Sequence, residues 1–138
     1  MSTLKAFLQP SIAGRTREII ISDRFVNEDG KAMPFIIQAI SQEENEVLAK
    51  QSRIEKIVND IPVDSLDNIV YTKRLMLACV KEPDLRDAEL CKFYGVVDPA
   101  DVLSKMLSVG EYRDLSRAIM EINDMASPRE KMKEAKNF

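Results

Sequence analysis

The chain has 138 residues, of which 45% are hydrophobic and 31% are charged, and its net charge is −3. This size and balance predict an ordinary globular domain that can bury its own core. The acidic balance argues against a nucleic-acid-binding protein, which usually depends on clustered lysine and arginine. The absence of histidine removes the commonest metal ligand and general base.

Cellular location is predicted from what the sequence lacks. No stretch approaches eighteen consecutive apolar residues, and residues 1–13 carry no apolar run after a basic start. We therefore expect a cytoplasmic protein with no membrane contact. Cys79 and Cys91 form no C-x-x-C motif, so we expect free thiols, buried or half-buried, in a reducing compartment.

The first predicted element is an N-terminal arm over residues 1–16. Leu4, Phe7 and Leu8 lie at helical spacing, and Pro10 and Gly14 end any helix there. These three side chains predict one apolar patch, which contacts either a partner or the protein's own domain.

A β-hairpin is predicted over residues 17–40. The β-branched run at 18–22, continued at 25–26, is the first strand, and residues 35–40 are the return strand. Residues 27–30, Asn-Glu-Asp-Gly, are typical of a hairpin turn. Pro34 marks the start, the edge or a bulge of the second strand.

Helices are predicted from residue 41 onward. Ser41 with Glu44 indicates a capping box, after which one helical stripe comprises Val47, Leu48, Ile54, Ile57 and Val58. Asp64 with Asp67 opens a second helix after a break at residues 60–62. Its predicted inward residues are Leu66, Ile69, Val70, Met76, Leu77 and Val80.

Three more helix starts follow in the sequence. Asp84 is predicted to cap a helix that ends at Gly95 in a left-handed conformation. Asp98-Pro99 opens the next helix, which Gly110 is expected to end. Its apolar face comprises Val102, Leu103, Met106 and Leu107. A final charged helix is predicted after Ser127-Pro128.

A longer helix carries a stripe of Tyr112, Leu115, Ile119 and Ile122. One interpretation is that the stripe binds another molecule, as a coiled-coil face or a client-binding face. The other interpretation is that the stripe belongs to the domain's own core. Because it spans under three heptads, we favour the core.

Together these elements predict an α+β fold, with an N-terminal β-hairpin or small antiparallel sheet followed by a mostly α-helical bundle. The expected organisation is an arm (1–16), one domain (17–125, with the hairpin at 17–40 and helices at 41–125), and a charged C-terminal helix or tail (126–138).

Sequence motifs for catalysis or cofactor binding are missing. The paired carboxylates, such as Asp84 with Asp87 and Asp98 with Asp101, fall in first turns of predicted helices, where capping explains them. The glycines do not cluster into a phosphate-binding loop, and a Ser/His/Asp triad is impossible without histidine. We therefore expect no catalytic residue, no metal and no cofactor.

Three segments resemble the XkdN-like tail assembly chaperones of tailed phages and prophages. Residues 22–31, with 37–40 and 43–46, are similar to the family's S-x-R-F-x-x-E-D-G-K hairpin and the E-E-N-E start of the next helix. Residues 83–96 resemble P-D-L-x-D-A-E-L-x-x-x-Y-G-V. Residues 106–112 resemble M-L-x-P-G-E-Y, with Val109 in place of the proline. The similarity covers most of residues 17–125. Within the family, the chain closely resembles chaperones encoded by PBSX-like and skin-type defective prophages.

The resemblance implies a non-enzymatic protein of the bacterial host cytoplasm. Its first implied partner is the long tape measure protein. The tail-tube protein is a second candidate partner, and homo-oligomers are compatible with the resemblance. The family brings no catalytic residues. Candidate partner contacts come from the apolar patterns above: Leu4, Phe7, Leu8, Tyr112, Leu115 and Ile119. The alternatives are a structural component or adaptor retained in the tail and, with less support, a small nucleic-acid-binding regulator.

Overall fold

The computed structural model describes residues 3–125. A short 3-10 helix (Thr3–Phe7) precedes strands β1 (Thr16–Ile19) and β2 (Phe35–Gln38). There follow α1 (Gln42–Gln51), β3 (Arg53–Val58), β4 (Ile61–Leu66), α2 (Asn68–Cys79), β5 (Val80–Glu82), α3 (Ala88–Tyr94), a 3-10 helix (Pro99–Asp101), α4 (Val102–Met106) and α5 (Val109–Ile122). The predicted α+β class is confirmed, whereas the bundle arrangement of the helices is not. The predicted C-terminal helix lies outside the described residues.

The main sheet has three antiparallel strands in the order β1-β2-β5. The predicted hairpin is confirmed, although β1 ends at Ile19 and the chain then pairs only through a bridge between Val26 and Ala32. Between them, the Asn27 amide donates to the Lys31 carbonyl at 2.8 Å, and Gly30 has a φ of +77°. The predicted turn at 27–30 is therefore confirmed.

The third strand, β5, was not predicted. It follows α2 directly and has only three residues, so its pattern cannot be separated from the end of a helix. Val80, expected on the inner face of that helix, is buried as part of this strand.

The core lies between the main sheet and the helices α2, α4 and α5. Its fully buried members include Ile37 from β2, Met76 from α2, Val102 from α4, and Leu115 and Ile119 from α5. Phe25 packs against this cluster, with its ring centroid 5.9 Å from that of Phe35. The core therefore joins segments that are distant in sequence.

A second sheet replaces part of a predicted helix. The prediction that Ile54, Ile57 and Val58 lie on the same helix as Val47 and Leu48 is wrong. Helix α1 ends at Gln51, and these three residues belong to β3. β3 pairs with β4 through a two-residue turn in which Asn59 and Asp60 have φ values of 51° and 63°. Such a turn fits hairpin twist, and β-branched residues favour strands. The strands are thus not confined to the N-terminus.

Helix α2 begins later than predicted. The carboxylate of Asp67 accepts hydrogen bonds from the amides of Ile69 and Val70, whereas Asp64 lies in β4. Ile69 was expected to face inward but is exposed. The buried residues of this helix are Leu75, Met76 and Cys79.

The remaining helix boundaries differ from the prediction by a few residues. Asp87, not Asp84, caps α3, and Gly95 ends it with a φ of +67°, as predicted. Gly110 does not end a helix: α4 stops at Met106, and Ser108 caps α5. Gly110 is therefore the second residue of α5. The Ser108–Glu111 capping box was missed, although its spacing is visible in the sequence.

Replacing Gly95 with alanine is expected to lower the free energy of unfolding by about 1 kcal/mol. No atom lies within 4 Å of a Cβ added there, so the cost comes from the left-handed backbone alone. Urea denaturation followed by circular dichroism measures it. Gly110→Ala is the control, because its backbone is helical and it should be neutral or gain about 0.5 kcal/mol. Equal effects at both glycines would contradict this account.

Candidate partner-binding surfaces

Exposed apolar side chains gather at several places within residues 3–125, and the N-terminal arm is the first. Phe7 is 80% exposed, Leu8 67% and Leu4 61%. The arm joins the body of the protein at Gly14, whose amide donates to the Ala39 carbonyl at 2.7 Å. The three apolar side chains of the arm thus lie on the surface ahead of the first strand.

The start of β1 is fastened to the end of α5. The Arg15 guanidinium donates to the Ile122 carbonyl at 2.9 Å, and Arg17 pairs with Glu121 at 3.1 Å. The Asn123 side chain accepts a hydrogen bond from the Ile40 amide at 2.9 Å. These contacts hold the base of the arm.

The β3–β4 hairpin is the second apolar surface. Ile54, Val58, Ile61 and Val63 share one face because they alternate along paired strands, and they are 36–62% exposed. An isolated two-stranded hairpin has marginal stability in water and usually packs against other elements. The exposure of these four apolar side chains is therefore unusual.

A groove of about 400 Å³ lies beside α3. It is lined by Pro83, Asp84, Asp87, Glu89, Leu90 and Phe93. Two of its carboxylates accept hydrogen bonds from backbone amides. The Asp84 carboxylate accepts one from Arg86, and the Asp87 carboxylate accepts one each from Glu89 and Leu90. Phe93 is exposed at its edge. The capping role predicted for the carboxylates of this segment is therefore confirmed for Asp87.

Arg24 and Glu111 bring together two segments that resemble the chaperone motifs. The guanidinium donates twice to the carboxylate, at 2.7 and 3.0 Å, and once to the Met106 carbonyl at 2.5 Å. The Glu111 carboxylate also accepts from the Ser108 amide at 2.8 Å. The hydrogen bonds from Arg24, then that from Ser108, hold the pKa of Glu111 well below its usual range. These motif residues thus have a structural role.

Other polar contacts brace α2. The hydroxyl of Tyr71 donates to the side-chain carbonyl of Asn45 in α1, within the predicted E-E-N-E helix start. Lys73 pairs with Asp101 at 2.8 Å, and this bond raises the pKa of Lys73. Sequence reasoning missed both pairs because their members are more than twenty residues apart.

The cysteines are free, as predicted. Cys79 is buried, which raises the pKa of its thiol to about 11 and keeps it protonated near neutral pH. Cys91 is half-buried, and its thiol donates to the Leu85 carbonyl at 3.3 Å.

The structure separates the six predicted partner contacts into two groups. Leu4, Phe7 and Leu8 lie on the exposed arm. Leu115 and Ile119 are buried in the core and Tyr112 is half-buried, so the preferred interpretation of this stripe as core is confirmed for Leu115 and Ile119. In this fold the side chains of Leu115 and Ile119 offer no surface to a partner.

Within residues 3–125, no group of three or more Cys, Asp or Glu side chains is placed to hold a metal ion. Over the same residues, no helix has the length and apolar character needed to cross a membrane.

Comparison with known proteins decides the family. The sequence model described as "Phage XkdN-like tail assembly chaperone protein, TAC" matches residues 4–136. The chain belongs to this family.

Two relatives from Bacillus subtilis strain 168 extend the match. XkdN, a protein of the phage-like element PBSX, is 32% identical over 137 residues, covering 96% of this chain and 93% of XkdN. YqbN is 32% identical over 134 residues, covering 94% of this chain and 90% of YqbN. The crystal structure of YqbN superposes with a TM-score of 0.71 at 29% identity, over 88% of this chain and 96% of that one. The fold of YqbN is thus shared over 88% of this chain.

Proposed function

We propose that this protein is a non-enzymatic chaperone of the bacterial cytoplasm that binds the phage tape measure protein and assists assembly of the tail tube around it. The observation that carries the proposal is the match to the XkdN-like tail assembly chaperones over residues 4–136.

The surface supports this function. A chaperone needs apolar side chains that a client covers and later releases, and monomeric proteins rarely leave large apolar patches exposed without a reason. The arm provides Leu4, Phe7 and Leu8 at such exposed positions. An aromatic ring beside leucines is a typical small anchor for a protein interface.

Co-expression tests the proposal. We expect the tape measure protein encoded in the same phage or prophage to gain soluble yield in the presence of this chain and to co-purify with it. Expression of the tape measure protein alone is the control. An unchanged yield without a complex would count against a chaperone, and recovery of the chain from purified tails would favour the structural component instead.

A truncated chain lacking residues 1–14 locates the contact in the same assay. Phe7 and Leu8 are largely exposed, and the Gly14 amide bonds to the Ala39 carbonyl at the end of the arm, so we expect an unchanged melting temperature together with weaker recovery of the tape measure protein. A chain with Leu4, Phe7 and Leu8 changed to serine separates the loss of apolar contact from the loss of length. A melting temperature several degrees lower with full recovery would assign the arm to the core instead.

A further inference from the structure

The β3–β4 hairpin has one strand edge that is open and one that is blocked. Its two-residue turn makes Val58 and Ile61 a hydrogen-bonded pair, and such pairs alternate along an antiparallel ladder. The backbone groups of Arg53, Glu55 and Ile57 therefore point away from β4. In the described chain, β3 pairs with no strand other than β4, so these groups form an open edge.

The opposite edge lacks a donor. Pro62 lies across from Ile57, at a position whose backbone groups also point outward, and proline has no N–H. Proline on an edge strand prevents continuous pairing with another strand. Any added strand is therefore directed to β3.

We propose that the β3 edge binds the β3 edge of a second copy of this chain in antiparallel orientation, giving a two-fold symmetric dimer with a four-stranded sheet. Charge selects the register. With Ile54 on the two-fold axis, Arg53 of each copy lies opposite Glu55 of the other, and opposite charges across strands are favourable. The pair of Arg53 with Asp64 in its own hairpin is 3.7 Å long and largely exposed, so the guanidinium can bridge both carboxylates. Registers shifted by one residue or two toward the turn place Glu55 opposite Glu55 or Lys56 opposite Lys56.

Dimerisation also explains how a hairpin outside the core is stabilised. Its side chains are absent from the buried cluster of the protein, and two strands alone have marginal stability. Four strands form a sheet of ordinary size, and the Ile54 side chains of the two copies come into contact at its centre. This inference stands independently of the client proposed above.

Charge reversal gives the first test, with mass measured by light scattering during gel filtration. We expect the native chain to be a dimer, and Glu55→Arg and Arg53→Glu each to raise the dissociation constant at least tenfold by placing like charges opposite each other. A 1:1 mixture of these two variants restores complementary pairs, so we expect a heterodimer. Glu28→Arg, the same charge change in the exposed turn, is the control and should leave the dimer intact.

A cysteine at the axis gives the second test, in a Cys91→Ser background. Opposite residues of a non-hydrogen-bonded pair have Cα atoms about 4.5 Å apart, within disulfide range. We expect Ile54→Cys to cross-link two copies under mild oxidation and Ile57→Cys, exposed on the same strand but off the axis, not to. A monomeric native chain, single charge variants that dimerise normally, a mixture that stays monomeric, or equal cross-linking at both cysteines would each overturn the proposal.

Discussion

Replacing Leu115 with alanine is expected to lower the free energy of unfolding by about 2–5 kcal/mol. The Leu115 side chain is fully buried in the core cluster, where it lies with Ile37, Met76 and Ile119. Its truncation removes apolar burial and leaves a cavity in a closely packed region. Urea denaturation of both proteins measures the difference.

Met120 provides the control on the same helix. Its side chain is partly exposed, so Met120→Ala should change the free energy of unfolding by no more than about 0.5 kcal/mol. The comparison also decides what the apolar stripe of α5 does. If Leu115→Ala preserved stability but abolished recovery of the tape measure protein, the stripe would be a partner-binding face and the core assignment would fail.

Replacing Glu111 with glutamine is expected to destabilise the protein at neutral pH and to lose this effect in acid. The Glu111 pKa is lowered in the folded state by Arg24 and the Ser108 amide, whereas the unfolded value is 4.5. Between these two pKa values the unfolded chain binds more protons than the folded chain. The stabilisation by the carboxylate is therefore complete above the unfolded pKa and is lost as the pH falls toward the folded one.

Urea midpoints measured from pH 7 down to pH 3 test this dependence. The native and Glu111→Gln curves should be farthest apart near neutral pH and should converge as the pH falls below 4.5. Glu121→Gln is the control, since its pair with Arg17 has both side chains largely exposed and such pairs contribute little. A Glu111→Gln deficit that stayed constant across this range would show that the charge is not responsible.

The motifs that resemble the chaperone family acquire a physical meaning in the fold. Arg24 and Glu111 lie 87 residues apart and form the connection between the hairpin segment and the start of α5. The positions of Gly30, Asp87 and Gly95 are explained by a turn and two helix caps. The motif residues therefore mainly stabilise the fold. Candidate partner contacts lie instead on the exposed arm and on the β3–β4 hairpin.

Local chemistry could be read from the sequence where a few adjacent residues decide the conformation. The turn at 27–30, the cap at Ser41 and the left-handed Gly95 follow from such short-range patterns. They need no knowledge of the rest of the chain, because each depends on backbone geometry and hydrogen bonds within one or two turns.

Tertiary structure decided the elements whose patterns were ambiguous. Ile54, Ile57 and Val58 fit both a helical stripe and a β-strand, and the chain forms the strand because β4 follows through a turn that accepts two left-handed residues. β5 is too short to predict and exists because β2 offers its free edge. The Arg24–Glu111 pair and the burial of Leu115 likewise depend on segments that only the folded chain brings together. The sequence by itself determined caps, turns and apolar faces, and long-range packing and strand pairing determined which of them became core, sheet or exposed surface.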